Sequence, residues 1–190
     1  MKSIVTKHHF MVDLETLATT PDAHILETAL VKFNPVTGDV YDLKSFHVRH
    51  GLDKQDGAVV NTETVDWWYK TNRDYFAKLL NPTKKRPLLG TLLRMKDLFE
   101  MARGDGGLYV WNTGTFDTDL LNNAFKRLVD PDATLINFWE VRDCRALKTI
   151  GEIFPLLQQN TASVTHNAYE DCIRQIEYIT NVTQYLVEQD

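Results

Sequence analysis

The 190-residue sequence predicts an α/β fold, a mixed sheet with helices covering its faces. Three observations predict it. Short apolar runs separated by turn chemistry lead the chain, and from residue 65 onward helical periodicities alternate with brief apolar runs. The composition, 43% hydrophobic and 25% charged, is that of an ordinary globular protein. At this size a chain buries roughly 70% of the surface it exposes when unfolded, so a single domain over residues 1–190 needs no disulfide or structural metal.

Residues 9–13 read as a first apolar strand, and residues 28–34 and 40–47 as two more. Between the latter two, Asn34-Pro35-Val36-Thr37-Gly38-Asp39 is a turn sequence, so the three strands form an antiparallel meander. Residues 65–80 carry an aromatic-rich helical pattern that stops at Asn81-Pro82, and residues 92–101 repeat apolar positions at helical spacing up to Gly104. Residues 108–111 read as a strand, 116–128 as an amphipathic helix and 135–139 as another strand. Residues 143–150 and 167–187 close the chain as helices, the last starting at Asn167, which with Glu170 fits a capping box.

The formal charge is −5, from 26 acidic and 21 basic residues. It disfavours a protein that grips nucleic acid through global positive charge, but permits a local basic groove or a site that gathers carboxylates. Cys144 and Cys172 are too few for a disulfide framework and read as reduced, structural residues. No run approaches the ~18 consecutive apolar residues of a membrane span. Acids interrupt the first 15 residues where a secretion signal needs an apolar run, so the expected location is the cytoplasm. His8-His9 and His47-x-x-His50 lack a further ligand to complete a tetrahedral site and read as surface residues.

Three constellations carry chemistry. Asp13 and Glu15, two apart at the end of an apolar strand, point to one face at a separation suited to a hard cation. In Trp111-Asn112-Thr113-Gly114-Thr115-Phe116-Asp117 a strand ends, a glycine loop turns and a helix begins. That places Asp117 in the first helical turn, near the edge buried by Leu120, Leu121 and Ala124, whereas Asp119 points to solvent. His166 precedes the last helix and Asp171 lies in its first turn. Taken singly, a solvated strand end, helix-start chemistry and an ordinary histidine account for each of the three; their value lies in their combination.

Asp13-Leu14-Glu15, Asn112-x-x-x-Phe116-Asp117 and His166-x4-Asp171 resemble, in order and spacing, the three motifs of the DnaQ-like exonucleases, in the subclass with histidine in the third motif (DEDDh). The resemblance runs from about His9 to about Ile176. Val65-Asp66-Trp67-Trp68 and Asn137-Phe138-Trp139-Glu140-Val141-Arg142-Asp143 look similar to segments of the exonuclease A of T-even phages. The resemblance implies an RNase H-like fold with a central five-stranded mixed sheet, and a 3′-to-5′ exonuclease that releases nucleoside 5′-monophosphates.

It further implies that Asp13, Glu15, Asp117 and Asp171 hold two Mg²⁺ or Mn²⁺ ions ~3.5–4 Å apart for in-line hydrolysis, with Asp13 bridging. His166 would act as general base, since an unperturbed imidazole titrates at ~6.5. The expected substrate is the 3′ end of single-stranded DNA. An exoribonuclease or an inactive nucleic-acid-binding module on the same fold are the alternatives. Implied substrate contacts are Thr16 and Leu17 after the first motif, Leu17 wedging against a base or serving as plain core. Asn112 and Phe116 belong to the second motif, where Phe116 either stacks or packs below Asp117. Adjacent Trp67 and Trp68 cannot both face inward, and Trp68 is assigned as the one that stacks on a base. Arg142 either contacts substrate or pairs with an acid. Lys84, Lys85, Arg86, Arg94 and Lys96 form one basic group and Arg142, Arg145 and Lys148 another. With the four proposed ligands set aside, 22 acids face 21 bases, so most of the excess negative charge is assigned to one site.

Overall fold

The computed structural model describes residues 7–153 and 165–188. Its strands are β1 (His8–Thr16), β2 (Ile25–Phe33), β3 (Phe46–Arg49), β4 (Leu108–Asn112) and β5 (Val141–Asp143). They form one five-stranded sheet in the order β3-β2-β1-β4-β5. The first three pair antiparallel as a meander, while β4 runs parallel to β1 and β5 parallel to β4. The helices are α1 (Thr62–Thr71), α2 (Arg73–Leu80), α3 (Leu88–Gly104), α4 (Phe116–Leu128), α5 (Cys144–Ile153) and α6 (Ala168–Glu188).

Strand alternation divides β1 between two cores. Phe10, Val12 and Leu14 join Leu92, Met95 and Phe99 of α3 and Leu120, Leu121 and Phe125 of α4. Met11 turns to the opposite face, with Ala29 and Val31 of β2 and Cys172, Ile176 and Ile179 of α6. The same period sends Asp13 and Glu15 after Met11, to the α6 face of the sheet. Opposite Asp13 in register stands Ala29, and opposite Glu15 stands Glu27. A third cluster, Leu17, Leu26, Trp68, Phe76 and Leu79, packs α1 and α2 against the chain leaving β1.

Several expected elements differ. The strand expected over 40–47 is a lone bridge from Val40 to Phe33, then a 3-10 turn (Asp42–Lys44), then β3. The helix expected over 65–80 is two helices, broken at Asn72 (φ −149°, ψ 62°), whose backbone leaves the helical region. The strand expected over 135–139 ends instead in a 3-10 turn (Phe138–Glu140). There Glu140 accepts from the Asn137 amide and forms a two-pronged pair with Arg103, drawing the chain inward before β5 begins. The last helix starts at Ala168, with Asn167 as its cap: the Asn167 Oδ1 accepts from the Tyr169 and Glu170 amides. His9 and His50 are buried rather than on the surface. His9 stacks on Trp111, and His50 bonds Thr28 and the Arg86 carbonyl. Cys144 and Cys172 are buried free thiols.

Candidate active site

The carboxylates of Asp13, Glu15 and Asp171 offer oxygen atoms that all lie within 4.8 Å of one another. Asp13 and Glu15 arrive by strand alternation. Asp171 arrives in the first turn of α6, which crosses the same face, its amide donating to the Asn167 carbonyl. Asp117 reaches the group from the other side of the sheet, where the β4–α4 connection turns at Gly114 (φ +81°). Its Oδ1 accepts from the Leu14 amide at 3.2 Å, between the two acids of β1. The backbone of this turn is tied to β5 by Asp143, which accepts from the Gly114 and Arg145 amides at 2.8 Å each. Asp119 is exposed, as expected.

Burial and mutual repulsion set the electrostatics. Burial pushes Asp13 well above the usual carboxylate range, followed by the charges of Asp117, Glu15 and Asp171. Burial and then Glu27, Asp171 and Asp117 push Glu15 up to about 9. Burial raises Asp117, against the Leu14 amide that lowers it. Carboxylates gathered in this way are a fitting hard-oxygen donor set for Mg²⁺ or Mn²⁺, whose charge would offset their mutual repulsion. Two contacts relieve the crowding in part: Gln175 Nε2 donates to Asp13 at 3.0 Å, and Arg174 Nη2 donates to Asp171 at 2.9 Å.

A stability consequence follows for the metal-free protein. Glu15 holds its proton when folded to a pH far above its unfolded value, so its contribution is present below the unfolded pKa of 4.5 and lost as pH rises toward about 9. Between pH 7 and 8.5, above the range in which His24 and His50 titrate, stability in chelator should fall by on the order of 1 kcal/mol per pH unit. Thermal melts in chelator and in Mn²⁺ check this: Tm should decline with pH in the first and hold in the second.

His166 directly precedes the α6 cap, and among the described residues it is the only non-glycine at positive φ (52°). Such a backbone persists where surroundings over-determine it. Its ring meets Trp67 edge-on at 4.8 Å and Trp68 at 5.9 Å, and the preceding Thr165 carbonyl accepts from Asn72.

The expected substrate contacts fare unevenly. Trp68 is buried: its Nε1 donates to the Thr16 carbonyl at 2.9 Å and its ring stacks on Phe76, so it is core and unable to stack on a base. Trp67 is the exposed member of the pair, at 42%. Leu17 is core beside Trp68 and Leu26, with no free edge to wedge. Phe116 is half-buried and packs on the α3–α4 core. Asn112 is fully buried, its side-chain nitrogen and oxygen without hydrogen-bond partners. Arg142 makes no ion pair with an acid among the described residues: its Nη1 donates to the Trp139 and Val141 carbonyls and its guanidinium covers the Tyr109 ring. In the first basic group, Lys85 pairs with Asp53, Arg94 covers Phe46 and Lys96 pairs with Glu100.

A cleft of about 390 Å³ is lined by Glu15, Thr16, Thr19, Asn61, Thr64, Trp67 and an edge of the buried Trp68. A larger cavity of about 810 Å³ lies on the far side of Gln175 and is edged by Arg145, Lys148 and Arg174.

The sequence model of the Rv2179c-like domain, described as a 3′-5′ exoribonuclease, matches residues 8–183. The chain belongs to this family. The sheet and its helices are the RNase H-like arrangement of exonuclease structures such as exonuclease I. No curated protein matches the chain in sequence. Among solved structures, E. coli exonuclease I in complex with a 5cy-dA13 oligonucleotide is similar at a TM-score of 0.61 and 14% identity, over 96% of this chain and 43% of that one. The Rv2179c-like chain thus spans less than half the length of exonuclease I. S. pombe Pop2p, in a Mg²⁺- and Mn²⁺-bound form, is similar at 0.53 and 13% identity, over 96% and 85% of the two chains. A 3′-exonuclease in a structure of histone mRNA stem-loop recognition is similar at 0.53 and 13%, over 97% and 83%. Among the described residues no helix is long and apolar enough to cross a membrane.

Proposed function

We propose that the chain is a divalent-metal-dependent 3′-to-5′ exonuclease that removes nucleoside 5′-monophosphates from single-stranded 3′ ends, as one catalytic domain over residues 1–190. The convergence of Asp13, Glu15 and Asp171 within 4.8 Å, with Asp117 bonded to the same strand, carries this reading. These four acids would hold two Mg²⁺ or Mn²⁺ ions, which would supply Lewis-acid polarisation of the scissile phosphate and neutralisation of its charge. His166 takes the proton of the attacking water. Its left-handed backbone and its ring contacts with Trp67 and Trp68 hold the imidazole in place beside the acids' helix. Trp68 supports Thr16 from below, and Thr16 and Trp67 border the cleft that receives the terminal nucleotide, a volume within the range of small-ligand sites.

RNA is the substrate this reading favours, because the family is described as exoribonucleolytic. Single-stranded DNA is the second reading, supported by the likeness to exonuclease I in complex with a DNA oligonucleotide. A closer kinship with the exonuclease A of T-even phages and a cytoplasmic location belong to the proposal as well. Purified protein incubated with 3′- and 5′-labelled single-stranded RNA and DNA, in Mg²⁺, Mn²⁺ or chelator, tests it. Mononucleotide release from the 3′ end that stops in chelator is expected; release from the 5′ end, or in chelator, would overturn it.

Trp67 is the stacking platform of this cleft. Base–aromatic stacking is worth ~1–3 kcal/mol by alanine substitution, so Trp67→Ala should raise KM by roughly 5- to 150-fold. Steady-state kinetics on a short oligonucleotide, with Trp67→Phe recovering most of the loss, measures it.

A further inference from the structure

We propose that Glu27 is a positioning residue that fixes the first turn of α6, and with it His166 and Asp171, against the sheet. The inference rests on the exonuclease reading above for its kinetic consequence, but not for its structural one.

Glu27 interrupts an apolar strand and its side chain is fully buried. An isolated carboxylate there would be costly; this one is met on every side. Its Oε1 accepts from Arg49 Nε at 2.7 Å, from His47 Nε2 at 2.8 Å and from the Tyr75 hydroxyl at 3.0 Å. Its Oε2 accepts from the same hydroxyl at 2.8 Å and from the Ala168 amide at 3.2 Å. Arg49 Nη2 in turn donates to the Tyr75 oxygen. Burial alone would raise this carboxyl, and the bonds from His47, Arg49 and Tyr75 outweigh it and hold Glu27 below the usual range.

Glu27 and its partners span four elements. His47 and Arg49 lie on β3, Tyr75 on α2, Glu27 itself on β2, and Ala168 is the first residue of α6. Ala168 is two residues after His166 and three before Asp171. His47 makes a second contact to the same turn, its ring stacked on Tyr169 at 5.7 Å and 22°. Glu27 does not belong to the acid cluster, which comprises Asp13, Glu15 and Asp171. It faces Glu15 across the strand pair, and its own charge is paired with Arg49. Its free lone pairs are spent on the backbone of α6. The initial amides of a helix have no intrahelical acceptor, so an anchored anion there both satisfies one and fixes where the helix enters.

Glu27→Gln keeps the shape and places an amide group where four donors converge. The expected result is a folded protein whose kcat falls at least ten-fold while KM for a single-stranded oligonucleotide stays within two-fold. Amide hydrogen exchange at residues 168–171 should quicken, with exchange in β1 and β4 unchanged. If Glu27→Gln does not fold, Tyr75→Phe, which removes one donor and leaves the charge, should show the same pattern at smaller amplitude. Wild-type kcat with unchanged exchange at 168–171 in the folded variant overturns the inference, as does a rise in KM at constant kcat. If the wild-type protein releases no nucleotide at all, the exonuclease reading fails, while the exchange comparison still decides whether Glu27 anchors α6.

Discussion

Asp13→Asn should abolish nucleotide release, by on the order of 10³-fold or more, and weaken Mn²⁺ binding at the same time. Asp13 is half-buried and feels the charges of Asp117, Glu15 and Asp171 together, so a bound cation would relieve repulsion there. The asparagine is nearly isosteric and keeps the Gln175 contact available. It removes one negative charge from the point where three carboxylates meet, and Lewis-acid catalysis is worth several kcal/mol of barrier, or tenfold per 1.36 kcal/mol. The metal-free variant should also be more stable than the wild type at pH 8, because one term of the repulsion is gone. Calorimetry with Mn²⁺, thermal melts in chelator and a single-turnover assay check the three parts. Undiminished Mn²⁺ affinity would remove Asp13 from the ligand set.

His166→Ala should separate chemistry from metal binding. General base catalysis contributes typically ~10²–10⁴-fold, and kcat should fall by that factor while Mn²⁺ affinity stays near the wild-type value. No acid of the cluster bonds the His166 ring, whose contacts are the edges of Trp67 and Trp68, so the carboxylates should keep their arrangement. Alanine also relaxes nothing in the backbone, since φ of 52° is uncomfortable for any residue with a Cβ. His166→Gly at the same position should therefore be slightly more stable than His166→Ala, yet equally slow. A variant that keeps near-wild-type turnover would assign the proton transfer to another group.

Asp13, Glu15, Asp117 and Asp171 could be picked out as candidates from local geometry, and His166 only from the order and spacing of the three motifs. Residues two apart in a strand share a face, and an acid just inside a helix start faces what that start faces. The first two strands of the meander and the helix over 116–128 were legible for the same reason, the last with its observed limits. The substrate contacts were not. Trp67 and Trp68 are neighbours with identical chemistry, and only the packing of α1 against Phe76 and the Thr16 carbonyl decides which faces inward. Arg142 is basic and near an acid in sequence, but Tyr109 on the next strand draws its guanidinium away. Glu27 left one signal, a lone charge between Leu26 and Thr28 in an otherwise apolar stretch, and nothing local says what meets it. Gln175, one helical turn after Asp171, left none.

The sequence by itself determined the strand alternation, the helix starts and the candidate acids at a strand end and at two helix starts. These depend on periods of two and 3.6 residues and on caps, all of which act within a few positions along the chain. Tertiary structure alone decided which tryptophan is core, that Asp13, Glu15 and Asp171 come within 4.8 Å, and that a buried glutamate on β2 bonds the backbone of α6 141 residues away. Burial and long-range contact are properties of surfaces that meet only once the sheet has formed, and no local period encodes them.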